Sequence, residues 1–148
     1  MTLVALYLML AALAGPGMAH SKVARDIAEE IASVLDAAHP IFDSVEKDAA
    51  VMATMAYYES TLGRFVVGDG GVAHCAYQLH GAPSRVLWDL HTCTALAYAR
   101  LRASAVQCPD APLAIYVSGS CTNRGGRRVS VYRMREAERV QASAEAAP

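Results

Sequence analysis

The sequence has almost no charge imbalance. Its 13 Lys and Arg stand against 14 Asp and Glu, a net charge of −1 over 148 residues. A general nucleic-acid binder needs a basic surplus, and this composition argues against one. Charged residues are also scarce, at 18% against 54% hydrophobic. That balance excludes a disordered chain and can fill a core. Metal-ligand spacing is missing as well. There is no Cys-x-x-Cys and no His-x-x-x-His, so no metal site is expected among His74, Cys75, His80 and Cys93. Leu3 to Ala14 is apolar, but it is too short for a simple membrane span.

That apolar stretch has more than one reading. Gly15-Pro16-Gly17 breaks it, and Gly17-Met18-Ala19 offers the small residues that signal peptidase accepts. Residues 1–19 therefore fit a secretory signal cleaved after Ala19, without the usual positive side chain ahead of the apolar run. A first core helix ended by Gly15-Pro16 is the alternative, and a retained membrane anchor is a third. Residues 20–142 have the length of one domain, and 143–148 read as a fraying tail.

What the chain does have is a conspicuous stretch from Asp48 to His80. Met52, Met55, Ala56 and Glu59 fall at i, i+3, i+4 and i+7, one face of a helix. Three are apolar and the fourth is a carboxylic acid. Gly63 and the turn Gly68-Asp69-Gly70-Gly71 are expected to stop the helix. Glu59 then sits in the last turn, facing inward. Burial and the negative end of the helix dipole both oppose its charged form, which suits a general acid. The competing reading is a locally bonded Glu at an exposed helix end.

Ser60, the glycine-rich turn and Ala73-His-Cys-Ala-Tyr-Gln-Leu-His80 follow, and Ala114-Ile-Tyr-Val-Ser-Gly119 comes later. In this order and spacing they resemble the lysozyme-like fold, and within it the lytic transglycosylases and phage-type muralytic enzymes. The resemblance covers about Ala28 to Met134. It departs from the family where Cys75-Ala76-Tyr77 replaces Gly-Leu-Met and Val117 replaces Asn. It implies a mainly α, α+β lysozyme-like domain, with a small hairpin or extended loop as one wall of a cleft. It implies cleavage of the β-1,4 bond between muramyl and glucosaminyl sugars of peptidoglycan by a single acid/base, Glu59. Ser60, Gln78 and Tyr116 would position substrate or acid, Tyr116 through its hydroxyl. Asp69 is either a turn residue or a second carboxylate, which a hydrolase would need. No cofactor is implied. An exported monomer acting on glycan strands is the expected form, with a non-catalytic glycan-binding module as the alternative.

The remaining elements frame that stretch. Ser21 caps a helix from Lys22 to about Ala37, and Asp43-Ser-Val-Glu46 fits a capping box for the central helix. Phe65–Val67 and Val72–Leu79 read as a hairpin. Asp89 caps a helix from Leu90 towards Gln107, expected to back the central one. Trp88, just before it, is core or a sugar-stacking platform. Pro112 opens a short helix through Tyr116. Arg124, Arg127 and Arg128 read as a glycine-containing loop, and Ser130 as the cap of a last helix to about Ala142. Four thiols allow three pairings. The local one, Cys75–Cys93 with Cys108–Cys121, staples the loops that carry Gln78 and Tyr116 and agrees with export.

Overall fold

The computed structural model describes residues 2–15, 17, 21–63, 67–68, 73–81 and 89–147. The chain is mainly helical. Helix α1 spans Leu3–Ala14, α2 Lys22–Asp36 and α3 Val45–Ser60. Strands β1 (Val67–Gly68), β2 (Ala73–His74) and β3 (Leu79–His80) follow, then α4 (Leu90–Gln107), α5 (Ala114–Ser118) and α6 (Arg124–Glu145).

Helix α3 is the centre of the core. Every residue from Asp48 to Ala56 is buried. Four alanines in that run let neighbours approach closely, and α1, α2 and α6 pack around it. An element apolar on most of its circumference is stable only when enclosed in this way. Its cap is Ser44, whose Oγ accepts from the Lys47 amide at 3.1 Å. Helix α1 contributes Leu6, Met9 and Leu10 to the same core, while Leu3 and Val4 stay exposed. Helix α2 is amphipathic as its spacing indicates, with Ser21 capping it and Ile27, Ile31, Val34 and Leu35 turned inward.

Asp48 is a carboxylate inside this core, with no exposed surface. It accepts from the Ile41 and Phe42 amides at 2.7 and 3.0 Å and from the Tyr98 hydroxyl at 2.5 Å. Those bonds replace the lost hydration and fix the loop before α3. Tyr98 is pushed up to about 12, first by burial and then by the bond to Asp48. This is also how α4 reaches the central helix. Helix α4 packs mainly on α2 and α5, so the expectation that it backs α3 is corrected.

The hairpin is corrected in detail. Three two-residue strands form an antiparallel ladder in the order β1-β2-β3, with Val67 opposite His74 and His74 opposite Leu79. The run from Ala73 to Leu79 is not one strand, because Cys75–Gln78 turns between β2 and β3; Phe65, Val66 and Val72 of the expected hairpin lie outside the described residues. The Gln78 amide closes that turn on the Cys75 carbonyl at 3.2 Å. Both disulfides, Cys75–Cys93 and Cys108–Cys121, are formed. The first ties this turn to α4, and the second ties the end of α4 to the loop after α5.

The last helix is longer than its sequence suggested. Asn123, not Ser130, caps α6 by accepting from the Gly126 amide at 2.9 Å, so the three arginines expected in a loop lie on the helix. Gly126 explains the glycines. A Cβ there would lie 2.7 Å from the Ser118 Cβ and 3.3 Å from the Ala114 carbonyl oxygen. Glycine therefore lets α6 close on α5. Ser130 is buried and its Oγ accepts from the Leu113 amide at 2.9 Å. The buried stripe of α6 is Gly126, Ser130, Ala137, Val140 and Ala144, Val131 is 40% exposed, and the helix runs to Glu145, into the expected fraying tail. Replacing Gly126 by alanine is expected to destabilise the fold by about 2 kcal/mol through overpacking. Urea denaturation measures this, and an unchanged midpoint would show that α5 yields freely.

Candidate functional site

Glu59, Gln78 and Tyr116 line one cleft of about 760 Å³. They come from three different places. Glu59 is in the last turn of α3, Gln78 ends the turn before β3, and Tyr116 is on α5. His80 and Arg100 stand on the same wall as Gln78, and Val117 and Ser118 continue the wall of Tyr116.

The end of α3 aims Glu59. Thr61 and Leu62 both take left-handed backbone, with φ of 53° and 62°. Their amides return to the Tyr57 and Ala56 carbonyls and end the helix there, before Gly63. Ser60 serves this termination. Its hydroxyl donates to the Ala56 carbonyl and accepts from the Gly63 amide, both at 2.9 Å. Ser60 is thus a helix-end residue, and it does not line the cleft. Cys75 and Gln78 are also left-handed, at 63° and 47°. Every left-handed non-glycine among the described residues lies in the two segments flanking this cleft. Such positions cost about 1–3 kcal/mol each and persist where their surroundings fix them. Burial of Leu62 and the Cys75–Cys93 bridge supply that fixing.

Glu59 has a partner that sequence reasoning missed. Its Oε1 accepts from Arg133 Nη1 in a short ion pair, with the two side chains 20% and 11% exposed. Arg133 comes from the inner side of α6, and its guanidinium lies 5.6 Å from the Tyr58 ring centroid. Tyr58 in turn shares a 2.9 Å hydrogen bond with Tyr132. Burial and then that bond push the Tyr58 phenol above its usual range. The sequence placed no cation beside Glu59, and the structure pairs it with one. The signal was present: Arg133 lies four residues before Ala137 and seven before Val140, on the buried stripe of α6.

Tyr116 is corrected too. Its hydroxyl donates to the Tyr77 carbonyl at 2.7 Å rather than to Glu59. Burial first, and then the Glu59 charge, push its phenol well above the ordinary tyrosine range. It remains a neutral donor that locks α5 to the Cys75–Gln78 turn. Gln78 turns its amide nitrogen to the Cys75 carbonyl at 3.0 Å. Asp69 and Trp88 lie outside the described residues.

The cleft lining brings together one carboxylate, Glu59, one amide, Gln78, and one guanidinium, Arg100. No known protein family, curated protein or solved structure matches the chain.

Proposed function

We propose that the chain is an exported lytic transglycosylase of lysozyme-like type that cleaves the glycan strand of peptidoglycan. The observation that carries this reading is the convergence of Glu59, Gln78 and Tyr116 on one cleft. These are the positions at which the sequence resembles that family. Both disulfides support an oxidising compartment, such as a periplasm or the extracellular space. Glu59 donates a proton to the glycosidic oxygen as the bond from the muramyl C1 breaks. The carboxylate then takes the proton of the same sugar's 6-hydroxyl, whose oxygen closes on C1. A 1,6-anhydro ring forms and no water is consumed. Glu59 is the one carboxylate among the described lining residues, which suits this single-carboxylate route. A muramidase would recruit a second carboxylate, with Asp69 as the residue to test.

The Arg133 pair favours a second reading. A carboxylate already neutralised by a guanidinium suits a glycan-binding module without turnover. Purified peptidoglycan digested by wild type and by Glu59→Gln, with mass spectrometry of released fragments, separates the readings. Anhydromuramyl ends are expected from wild type, falling by about 10³-fold in the variant. Ordinary reducing ends would mean a hydrolase. No fragments from folded, oxidised wild type would leave the binding module.

A further inference from the structure

We infer that the cleft selects an anionic saccharide and that Arg100 meets its carboxylate. The inference rests on the reading of this cleft as a glycan site and narrows its ligand.

The argument is one of charge balance. The negative charge of Glu59 is matched by Arg133 from behind the cleft. Among the described lining residues the other permanent charge is Arg100, on α4. No carboxylate among the described residues pairs with it. Its Nη2 donates to the His80 carbonyl at 2.7 Å, which holds the guanidinium at the edge of β3 beside Gln78. A guanidinium has five N–H donors, and among the described residues Arg100 spends one of them, on His80. Arg100 and Tyr116 line the same cleft. The Gln78 wall therefore carries a positive charge that no described carboxylate balances. A planar guanidinium so placed suits a carboxylate, which it binds through two parallel hydrogen bonds.

A neutral amino-sugar polymer offers no such group. A muramyl sugar does, because its 3-O-lactyl substituent ends in a carboxyl. That carboxyl is either free or joined to a peptide that carries carboxylates of its own. The shared chemistry is a carboxylate hung from the 3-position of the sugar.

Binding is measured by NMR titration of the wild-type protein with disaccharides in which glucosamine precedes muramic acid. These lack the bond that would be cleaved. Four ligands are compared: the free lactyl acid, its neutral methylamide, the lactyl dipeptide and the neutral chitin disaccharide. The free acid or the dipeptide is expected to bind about tenfold more tightly than the two neutral ligands. Whichever acidic ligand gains more identifies the source of the carboxylate. Arg100→Gln should erase the preference, read as the ratio of acid to methylamide affinity, and Arg100→Lys should retain part of it. Equal affinity of wild type for acid and methylamide would overturn the inference and leave the glycan reading standing. If the folded protein binds none of the four, the glycan reading falls and the inference falls with it.

Discussion

Replacing Arg133 by methionine is expected to cost about 3 kcal/mol of stability, or roughly 10 °C in melting temperature for a domain of this size. The guanidinium is only 11% exposed and lies on the inner stripe of α6, against the Tyr58 ring. Methionine fills much of its volume but removes the charge. Glu59 would then keep a carboxylate, 20% exposed, with no countercharge beside it. The cost is mainly that of stranding this charge, and it is not the net worth of the pair. Glu59→Gln in the Arg133→Met background should therefore recover most of the loss. Urea unfolding of the two single variants and the double variant measures the coupling, expected at about 2 kcal/mol.

The same number bears on function. To transfer a proton in the proposed reaction, Glu59 must loosen its pair with Arg133 when ligand binds. A coupling of about 2 kcal/mol would be drawn from binding energy on every turnover, which is tolerable for an enzyme with an extended glycan in its cleft. A coupling above about 5 kcal/mol would make the binding-module reading the better one. A coupling below about 0.5 kcal/mol would mean that solvent screens the pair, and the stability prediction would fail with it.

The two charges at the centre of this question were unequally legible. Glu59 shared a face with Met52, Met55 and Ala56, so its inward direction followed from spacing alone. Asp48 lies four residues before Met52 on that face, and its burial was open to the same reasoning. Arg133 lay inside the expected last helix, but its pairing with Glu59, 74 residues away, is a tertiary contact, and the start of that helix was concealed as well. Gly125 and Gly126 with three arginines look like a loop, because glycine is poor inside a helix. What overrides that propensity is the close approach of Ser118 and Ala114 to Gly126, a tertiary fact that no local pattern carries. The turn after β2 was concealed for a similar reason. Cys75 and Gln78 adopt backbone that glycine or asparagine usually marks, so Val72–Leu79 read as a continuous strand. The position of Tyr116 on the cleft wall was legible. Its hydrogen bond to Tyr77, 39 residues away, was not. The disulfides were legible because each joins the end of one element to a nearby loop, a pairing that chain order alone suggests.

Reducing both disulfides is expected to remove about 6 kcal/mol of stability and lower the melting temperature by roughly 15–20 °C. The bridges close segments of 18 and 13 residues, and loop-closure entropy assigns about 3 kcal/mol to each. Domains of this size hold only about 5–15 kcal/mol in all, so the loss would leave little in reserve. The two bridges should not behave alike. Cys75 and Cys93 are both buried, whereas Cys121 is partly exposed. A mild thiol reductant should therefore open Cys108–Cys121 first, and Cys75–Cys93 only as the fold opens. The consequences also differ by position. Cys108–Cys121 braces the loop after α5, some distance from Glu59 along the chain. Cys75–Cys93 holds the left-handed turn that presents Gln78 and receives the Tyr116 hydroxyl. Paired serine variants separate these effects when thermal melts are set beside saccharide titrations. Removing Cys108 and Cys121 should lower stability and leave ligand affinity within about twofold. Removing Cys75 and Cys93 should lower both, because the wall of the cleft then loses the strap that fixes its backbone. If the melts of reduced and oxidised protein coincide, the bridges are not what holds the two walls, and the case for a chain built to fold in an oxidising compartment loses its main physical support.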